Sequence, residues 1–173
     1  MKRSNSISNL RTIALLLFVC FFSIIVNARK VPSVELKTTD GRTVKTDEIS
    51  NDGKPVIISF FALWCHPCLR ELSAIADVYE DWQEETGVKL VAVSIDDSRS
   101  VSKVPAEVAA RGFEWETLLD TNSDFKRAMN ISLIPYVIVL DGSGEIVWQH
   151  SSYSEGGEEE IIKVVRSLVK DDK

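Results

Sequence analysis

Two cysteines separated by two residues are the side chains of this sequence best suited to chemistry. Cys65 and Cys68 enclose His66 and Pro67, and a pair at this spacing can close a small disulfide ring. A cysteine at a helix N-terminus faces unpaired backbone N–H groups and the positive end of the helix dipole, which stabilise its nucleophilic thiolate. We therefore expect Cys65 to be the attacking thiol and Cys68 the thiol that resolves the mixed disulfide.

The cysteine pair has two other interpretations, a zinc site and a purely structural disulfide. A zinc site needs further ligands, and the two histidines of the chain are His66, which lies inside the pair, and His150. His66 cannot easily bend back to share a metal with the cysteines beside it. A structural disulfide across so short a loop gains little stability. We expect redox chemistry with no metal and no cofactor beyond the redox-active Cys65–Cys68 disulfide.

The residues around the pair predict a strand before it and a helix after it. Val56–Phe61 is a continuous apolar run, typical of a strand that is buried on both faces. From residue 69 to residue 82 apolar side chains recur at three-to-four spacing, which predicts one amphipathic helix that begins near His66 and continues to Gly87. Pro67 falls in its first turn, where a missing N–H costs nothing.

The rest of the chain predicts an alternation of strands and helices. A strand, a helix and a second strand in succession favour a right-handed parallel unit within an α/β fold. The predicted elements are hairpins over residues 34–45 and 136–149, a strand over 88–95, and helices over about 102–111, 124–129 and 158–170.

The first 28 residues have the pattern of a secretory signal rather than of a folded domain. Three basic residues and no acidic ones accompany an uncharged apolar run over residues 13–26, which is shorter than a spanning helix needs. We expect cleavage after Ala28 and one domain over residues 29–173. An uncleaved N-terminal membrane anchor is the alternative. Cys20 suggests lipidation, but Val19 stands where lipoprotein processing usually wants a small residue.

The charge and cysteine content of residues 29–173 limit the function further. This part carries 17 basic and 26 acidic side chains, so we expect no nucleic-acid partner. Cys65 and Cys68 are its two cysteines. In an exported protein of this size such a close pair indicates redox chemistry rather than a stabilising disulfide framework.

The sequence around the pair resembles the thioredoxin superfamily. Residues 60–68 read F-F-A-L-W-C-H-P-C, close to the signature F-W-A-x-W-C-x-P-C. The hairpin turn Asp40-Gly41, Glu71, the strand over residues 91–96, Ile134-Pro135 and residues 139–146 extend the similarity to the TlpA/ResA-like branch.

The resemblance implies both a fold and a function. The fold is thioredoxin-like, a central mixed sheet flanked by helices with an N-terminal β-hairpin and a central insertion. The function is that of a thiol-disulfide oxidoreductase, periplasmic or extracytoplasmic and membrane-associated. Such an enzyme reduces or rearranges disulfides of other exported proteins, and a membrane electron donor regenerates it.

The resemblance also assigns residues outside the pair. Pro135 matches the cis-proline that faces the active-site disulfide, and the backbone of Ile134 would pair with an extended substrate segment. Tyr136 departs from the threonine usual after this proline. Glu71 follows Cys68 by three residues, can share its helical face, and matches a glutamate placed to exchange protons with the cysteines.

Three residues next to the cysteines are expected to tune the site. A partly protonated His66 would stabilise the Cys65 thiolate and so raise the reduction potential. Trp64 would cover the active site and contact partner proteins. Trp64, His66 and Pro67 are therefore assigned to tuning the pair.

Two other functions fit parts of the sequence. A peroxiredoxin shares the fold and the N-terminal hairpin, but it needs a threonine three residues before its reactive cysteine, and Ala62 stands there. A non-enzymatic binding module would instead present the Cys65–Cys68 loop or a metal to a partner.

Overall fold

The computed structural model describes residues 29–170 and contains seven strands and five α-helices within them. The predicted signal segment 1–28 with Cys20, the cleavage point after Ala28 and the tail 171–173 lie outside the described residues. The strands are β1 (Glu35–Thr38), β2 (Thr43–Lys45), β3 (Val56–Phe61), β4 (Lys89–Ser94), β5 (Glu116–Leu119), β6 (Tyr136–Leu140) and β7 (Ile146–Ser151). The helices are α1 (His66–Ala76), α2 (Tyr79–Thr86), α3 (Val104–Ala110), α4 (Asp124–Ala128) and α5 (Glu158–Lys170), with 3-10 turns at Thr46–Glu48 and Val101–Lys103.

The strands form one mixed sheet with β3 near its centre. The order is β2-β1-β5-β4-β3-β6-β7. Strand β3 pairs parallel with β4 and antiparallel with β6, and all six of its residues are buried. The predictions of a central mixed sheet and of a strand buried on both faces are confirmed.

Each face of the sheet carries its own apolar core, because successive side chains of a strand point to opposite faces. On one face Ile57 and Phe61 of β3 pack with residues of α1, α2, α3 and α5. On the other face Val56, Ile58 and Phe60 pack with α4 and the N-terminal segment. The ring centroids of Phe60 and Phe125 lie 5.1 Å apart in this second core. The sheet is thus covered by helices on both faces.

The single helix predicted from His66 to Gly87 is wrong, since the structure has two helices there. Helix α1 ends at Ala76 and α2 begins at Tyr79, with Val78 in a non-helical conformation between them. The break lets the Tyr79 hydroxyl accept a hydrogen bond from the backbone N–H of Leu90 at 2.9 Å. The apolar spacing continues across the break because both helices bury side chains in the same core.

The segment between β4 and β6 holds α3, β5 and α4 and forms the expected central insertion. The sequence pattern did not reveal β5, a strand of four residues. It pairs parallel with β4 and antiparallel with β1, so it joins the confirmed N-terminal hairpin to the sheet. Among the described residues, no helix has both the length and the apolar character needed to cross a membrane.

Candidate active site

The cysteine pair lies where strand β3 passes into helix α1. The backbone N–H of Cys65 donates to the Ala62 carbonyl at 3.0 Å and closes a turn after the strand. Cys65 then occupies the N-cap of α1, and Pro67 lies in the first turn. This placement confirms the predicted junction and directs Cys65 toward the unpaired N–H groups at the helix N-terminus.

The two cysteines form a disulfide in the structure. Their Cα atoms are 5.3 Å apart, and the Cys65 sulfur accepts a hydrogen bond from the Cys68 backbone N–H at 3.3 Å. The exposed fraction is 6% for Cys65 and 0% for Cys68. Cys65 is therefore the more accessible of two largely buried cysteines, which is the order expected of an attacking and a resolving thiol.

Exposed side chains surround the pair. His66 and Pro67 are exposed, and Trp64 is 63% exposed. Leu133, on the loop before β6, is 71% exposed. Trp64 and Leu133 are two of the three exposed large apolar side chains in the described residues. Sequence reasoning missed Leu133, although it directly precedes the Ile134-Pro135 motif.

The Ile134–Pro135 peptide bond is cis, as the resemblance implies. Pro135 is buried, and half-buried Ile134 packs against the apolar cluster that contains both cysteines. Within the described residues, the Ile134 backbone makes no hydrogen bond. Tyr136, at the position where the resemblance leads us to expect threonine, donates a hydrogen bond from its hydroxyl to Gln149 Oε1 at 3.0 Å. The loop thus has a free backbone edge beside the disulfide.

Glu71 is a buried acid on the helix that carries the cysteines. Composition alone favours a solvated glutamate, but its exposure is 2%. The pKa of Glu71 is raised to about 8, chiefly by burial; Ser59 on β3 opposes the shift, and the nearby charge of Glu158 contributes to it. Neither Glu71 Oε2 nor Ser59 Oγ has a hydrogen-bond partner in the described residues. Glu71 therefore holds a proton at neutral pH and can exchange it near the redox pair.

Asp96 is a further site residue, and sequence reasoning gave it no role in the site. Its carboxylate Oδ2 accepts hydrogen bonds from the Leu63 backbone N–H and the Ser94 hydroxyl, each at 2.9 Å. Asp96 is fully buried, and it ties the turn before Cys65 to the end of β4. A signal for it exists in the sequence, because the C-terminal ends of neighbouring parallel strands meet at the functional edge of such sheets.

The structure does not gather ligands for a metal around the cysteines. Residues 29–170 contain no group of three or more His, Cys, Asp or Glu side chains arranged to hold an ion. His150 lies on β7 and stacks on Trp148 with ring centroids 5.5 Å apart. The geometry offers a disulfide and a protonated acid, which together suit thiol–disulfide exchange.

Comparison with known proteins identifies the family of this chain. The sequence matches the AhpC/TSA family over residues 28–149. The chain belongs to the AhpC/TSA family. Within it, the chain is similar to thiol-disulfide oxidoreductase ResA of Bacillus subtilis, with 27% identity over 116 residues, 67% of this chain and 62% of ResA. The matched part thus spans about three fifths of that relative's length.

Two further comparisons support a thioredoxin-like member of the AhpC/TSA family. Sporulation thiol-disulfide oxidoreductase A of Bacillus subtilis is 31% identical over 118 residues, 67% of this chain and 69% of that protein. The solution structure of a thioredoxin-like protein from Porphyromonas gingivalis is 57% identical, with a TM-score of 0.75 over 83% of this chain and 94% of that one. The resemblance to the TlpA/ResA-like branch and the thioredoxin-like fold are confirmed.

Proposed function

We propose that this member of the AhpC/TSA family is a thiol-disulfide oxidoreductase that reduces or rearranges disulfides of other exported proteins. The observation that carries the proposal is the Cys65–Cys68 disulfide at the N-terminus of α1, in which Cys65 is slightly exposed and Cys68 is fully buried. Both curated relatives described above are named as thiol-disulfide oxidoreductases.

The proposed reaction is a two-electron exchange of disulfides. In the reduced protein the Cys65 thiolate attacks one sulfur of the substrate disulfide, and the other substrate sulfur leaves and takes up a proton. Cys68 then loses its proton and attacks the Cys65 sulfur, so that the substrate is released as a dithiol and the Cys65–Cys68 disulfide forms. A membrane dithiol donor would return two electrons and two protons to the pair.

Glu71 is proposed as the base that takes the proton from Cys68 once Glu71 has given up its own proton. Its pKa of about 8 lies close to the value of about 8.5 for an ordinary thiol. Proton transfer is efficient between groups of similar pKa, in either direction of the cycle. Its burial on the same helix as Cys68 supports this role.

The surface around Cys65 supports an extended polypeptide as substrate. Trp64 and Leu133 offer apolar area, and the unpaired backbone of Ile134 can add one strand-like set of hydrogen bonds. Export is proposed from the apolar segment within residues 1–28 and from the cysteine content of the rest of the chain.

The test of this function is catalysed reduction of insulin disulfides with dithiothreitol as the electron source. We expect the wild-type protein to accelerate the reaction and Cys65→Ala to abolish the acceleration. His150→Ala, far from the pair in sequence and stacked on Trp148, serves as the matched control. Rapid turnover of hydrogen peroxide without insulin reduction would instead support the peroxidase, and retained partner binding without either activity would support the binding module.

A further inference from the structure

We propose that Glu158, held in place by Tyr153, passes protons between buried Glu71 and solvent during the redox cycle. This inference rests on the proposed function, because it supplies the route by which the proton from Cys68 leaves the protein. Glu71 has 2% exposure, so its proton needs an intermediate carrier to reach water.

The first turn of helix α5 places Glu158 on the side of the helix that faces the active site. Residues three and four positions apart share a helix face, and Glu158 precedes Ile161 and Ile162 by these intervals. Both isoleucines are buried in the apolar cluster that contains Cys68 and Leu72. Glu158 itself is half-buried. Glu158 therefore lies at the N-terminal end of the α5 face that packs into the same core as helix α1, which carries the cysteines.

Tyr153 holds the Glu158 carboxylate and also lines an open cleft. Its hydroxyl donates a hydrogen bond to Glu158 Oε2 at 3.0 Å. Tyr153 lines a cleft together with His66 and Leu69 from the first turn of α1. Tyr153 therefore links Glu158 to an open cleft that reaches His66, the residue next to Cys65.

The turn between these two residues keeps them together. The Gly157 backbone N–H donates to the Ser154 carbonyl at 2.9 Å, and a Cβ atom at Gly157 would lie 3.4 Å from the Tyr153 ring. The ring therefore packs against the turn that leads into α5. This packing holds the Tyr153 hydroxyl in reach of Glu158 before any substrate binds.

The charge of Glu158 affects the pKa values of both Glu71 and Tyr153. Besides burial, the charge of Glu158 raises the pKa of Glu71, while Ser59 from β3 lowers it. Burial, the hydrogen bond to Glu158 and the charges of Glu158, Glu71 and Glu155 raise the pKa of Tyr153. Tyr153 therefore stays protonated and donates to one oxygen of Glu158, which leaves the other oxygen able to accept a proton.

The proton path follows from these positions. Glu71 first gives its own proton to the Glu158 carboxylate, directly or through one water, and Glu158 releases it into the cleft. The Glu71 carboxylate that results takes the proton of the Cys68 thiol, and the Cys68 thiolate attacks the Cys65 sulfur. Regeneration of the dithiol runs the same path inward, so that Glu71 and Glu158 end each cycle unchanged.

The test compares Glu158→Gln with Glu159→Gln, a change of an exposed residue in the same turn of α5. The measurement is the single-turnover rate at which a disulfide peptide oxidises the reduced full-length protein, at increasing imidazole concentration. We expect Glu158→Gln to slow this rate about tenfold and imidazole to restore it, because a small diffusible base can replace the lost carrier. Glu159→Gln should match the wild type.

A second measurement separates the relay from a merely structural role. Removing the negative charge of Glu158 should lower the pKa of Glu71 in a carboxyl ¹³C NMR titration of the oxidised protein. An unchanged Glu71 titration in Glu158→Gln, or a rate equal to that of Glu159→Gln, would overturn the proposal. If the peptide fails to oxidise the wild-type protein, the proposed function is contradicted instead. The NMR titration then still decides whether Glu158 acts on Glu71.

Discussion

Glu71 illustrates how burial turns an ordinary surface residue type into part of a redox site. Its pKa rises from 4.5 to about 8 chiefly because the charged carboxylate is desolvated. The unfolded chain therefore loses this proton near pH 4.5 while the folded protein keeps it until about pH 8. Because the folded state binds more protons over this range, stability falls as the pH rises through it.

Glu71→Gln should remove this loss of stability. We expect the free energy of unfolding of the oxidised variant to exceed that of the wild type by an amount that grows between pH 4.5 and pH 8. The growth has an upper limit of about 1.4 kcal/mol per pH unit. Chemical denaturation across this range checks it, and parallel stability curves for the two proteins would show that Glu71 ionises normally.

His66 is expected to act on the redox equilibrium rather than on folding. It is exposed and adjoins Cys65, where a partial positive charge favours the thiolate of the reduced state. His66→Ala should lower the reduction potential, by about 30 mV for each 1.4 kcal/mol of lost stabilisation. Equilibration with a glutathione redox buffer measures this, with His150→Ala as control. A potential that stays the same or rises would contradict the role given to His66.

At the residue scale, the sequence predicted the features that depend on the spacing of residues along the chain. The Cys65–Cys68 pair and the place of Glu71 on the same helical face follow from residues three apart on one helix, whereas the burial of Glu71 became visible only in the structure. Asp96 was missed because its hydrogen bond to Leu63 joins positions 33 residues apart. That contact exists only once β3 and β4 lie side by side in the sheet.

At the scale of elements, the turn between β3 and α1 determines where Cys65 stands. Asp96→Ala would leave the half-buried N–H of Leu63 without its acceptor, at a cost of about 1 kcal/mol. We expect a lower free energy of unfolding together with slower disulfide exchange. Ser94→Ala removes the hydrogen bond to the same oxygen and the acceptor of the Asp96 backbone N–H, but it keeps the Leu63 contact and so serves as control for the turn. Normal exchange by a folded Asp96→Ala protein would show that the turn needs no anchor.

Periodicity predicted most of the elements but not their interruptions. It identified β3, the two hairpins and α5, whose patterns are strong and bounded by turn residues. It could not show the break between α1 and α2, since Tyr79 and Trp82 keep the same spacing across it and remain buried. It also missed β5, which is short and is stabilised by pairing with β1 and β4 on either side.

At the scale of the whole molecule, the resemblance predicted the architecture before any contact was known. A mixed sheet with an N-terminal hairpin and a central insertion is what the structure shows. The order of the strands could not be read from periodicity, because β5 comes after β4 in the chain yet separates it from the hairpin. The family resemblance supplied the mixed sheet, the hairpin and the insertion, whereas the strand order comes from the structure.

Export predicts the form in which the protein occurs in the cell. Cleavage after Ala28 would leave Arg29 as the first residue of the mature chain. Intact-mass analysis and N-terminal sequencing of protein recovered from the cell envelope should find that terminus. A full-length chain that stays with the membrane would support the N-terminal anchor, and a full-length chain in the cytosol would contradict export.

The central claim is that Cys65 attacks and Cys68 resolves, and trapping the mixed disulfide tests it most directly. Reduced Cys68→Ser protein is incubated with a disulfide-bonded substrate protein, separated without reductant, and mapped by mass spectrometry. We predict a covalent complex joined through Cys65, and no complex with Cys65→Ser. The claim would be contradicted if Cys68→Ser forms no complex although its Cys65 is readily alkylated, or if Cys65→Ser forms one equally well.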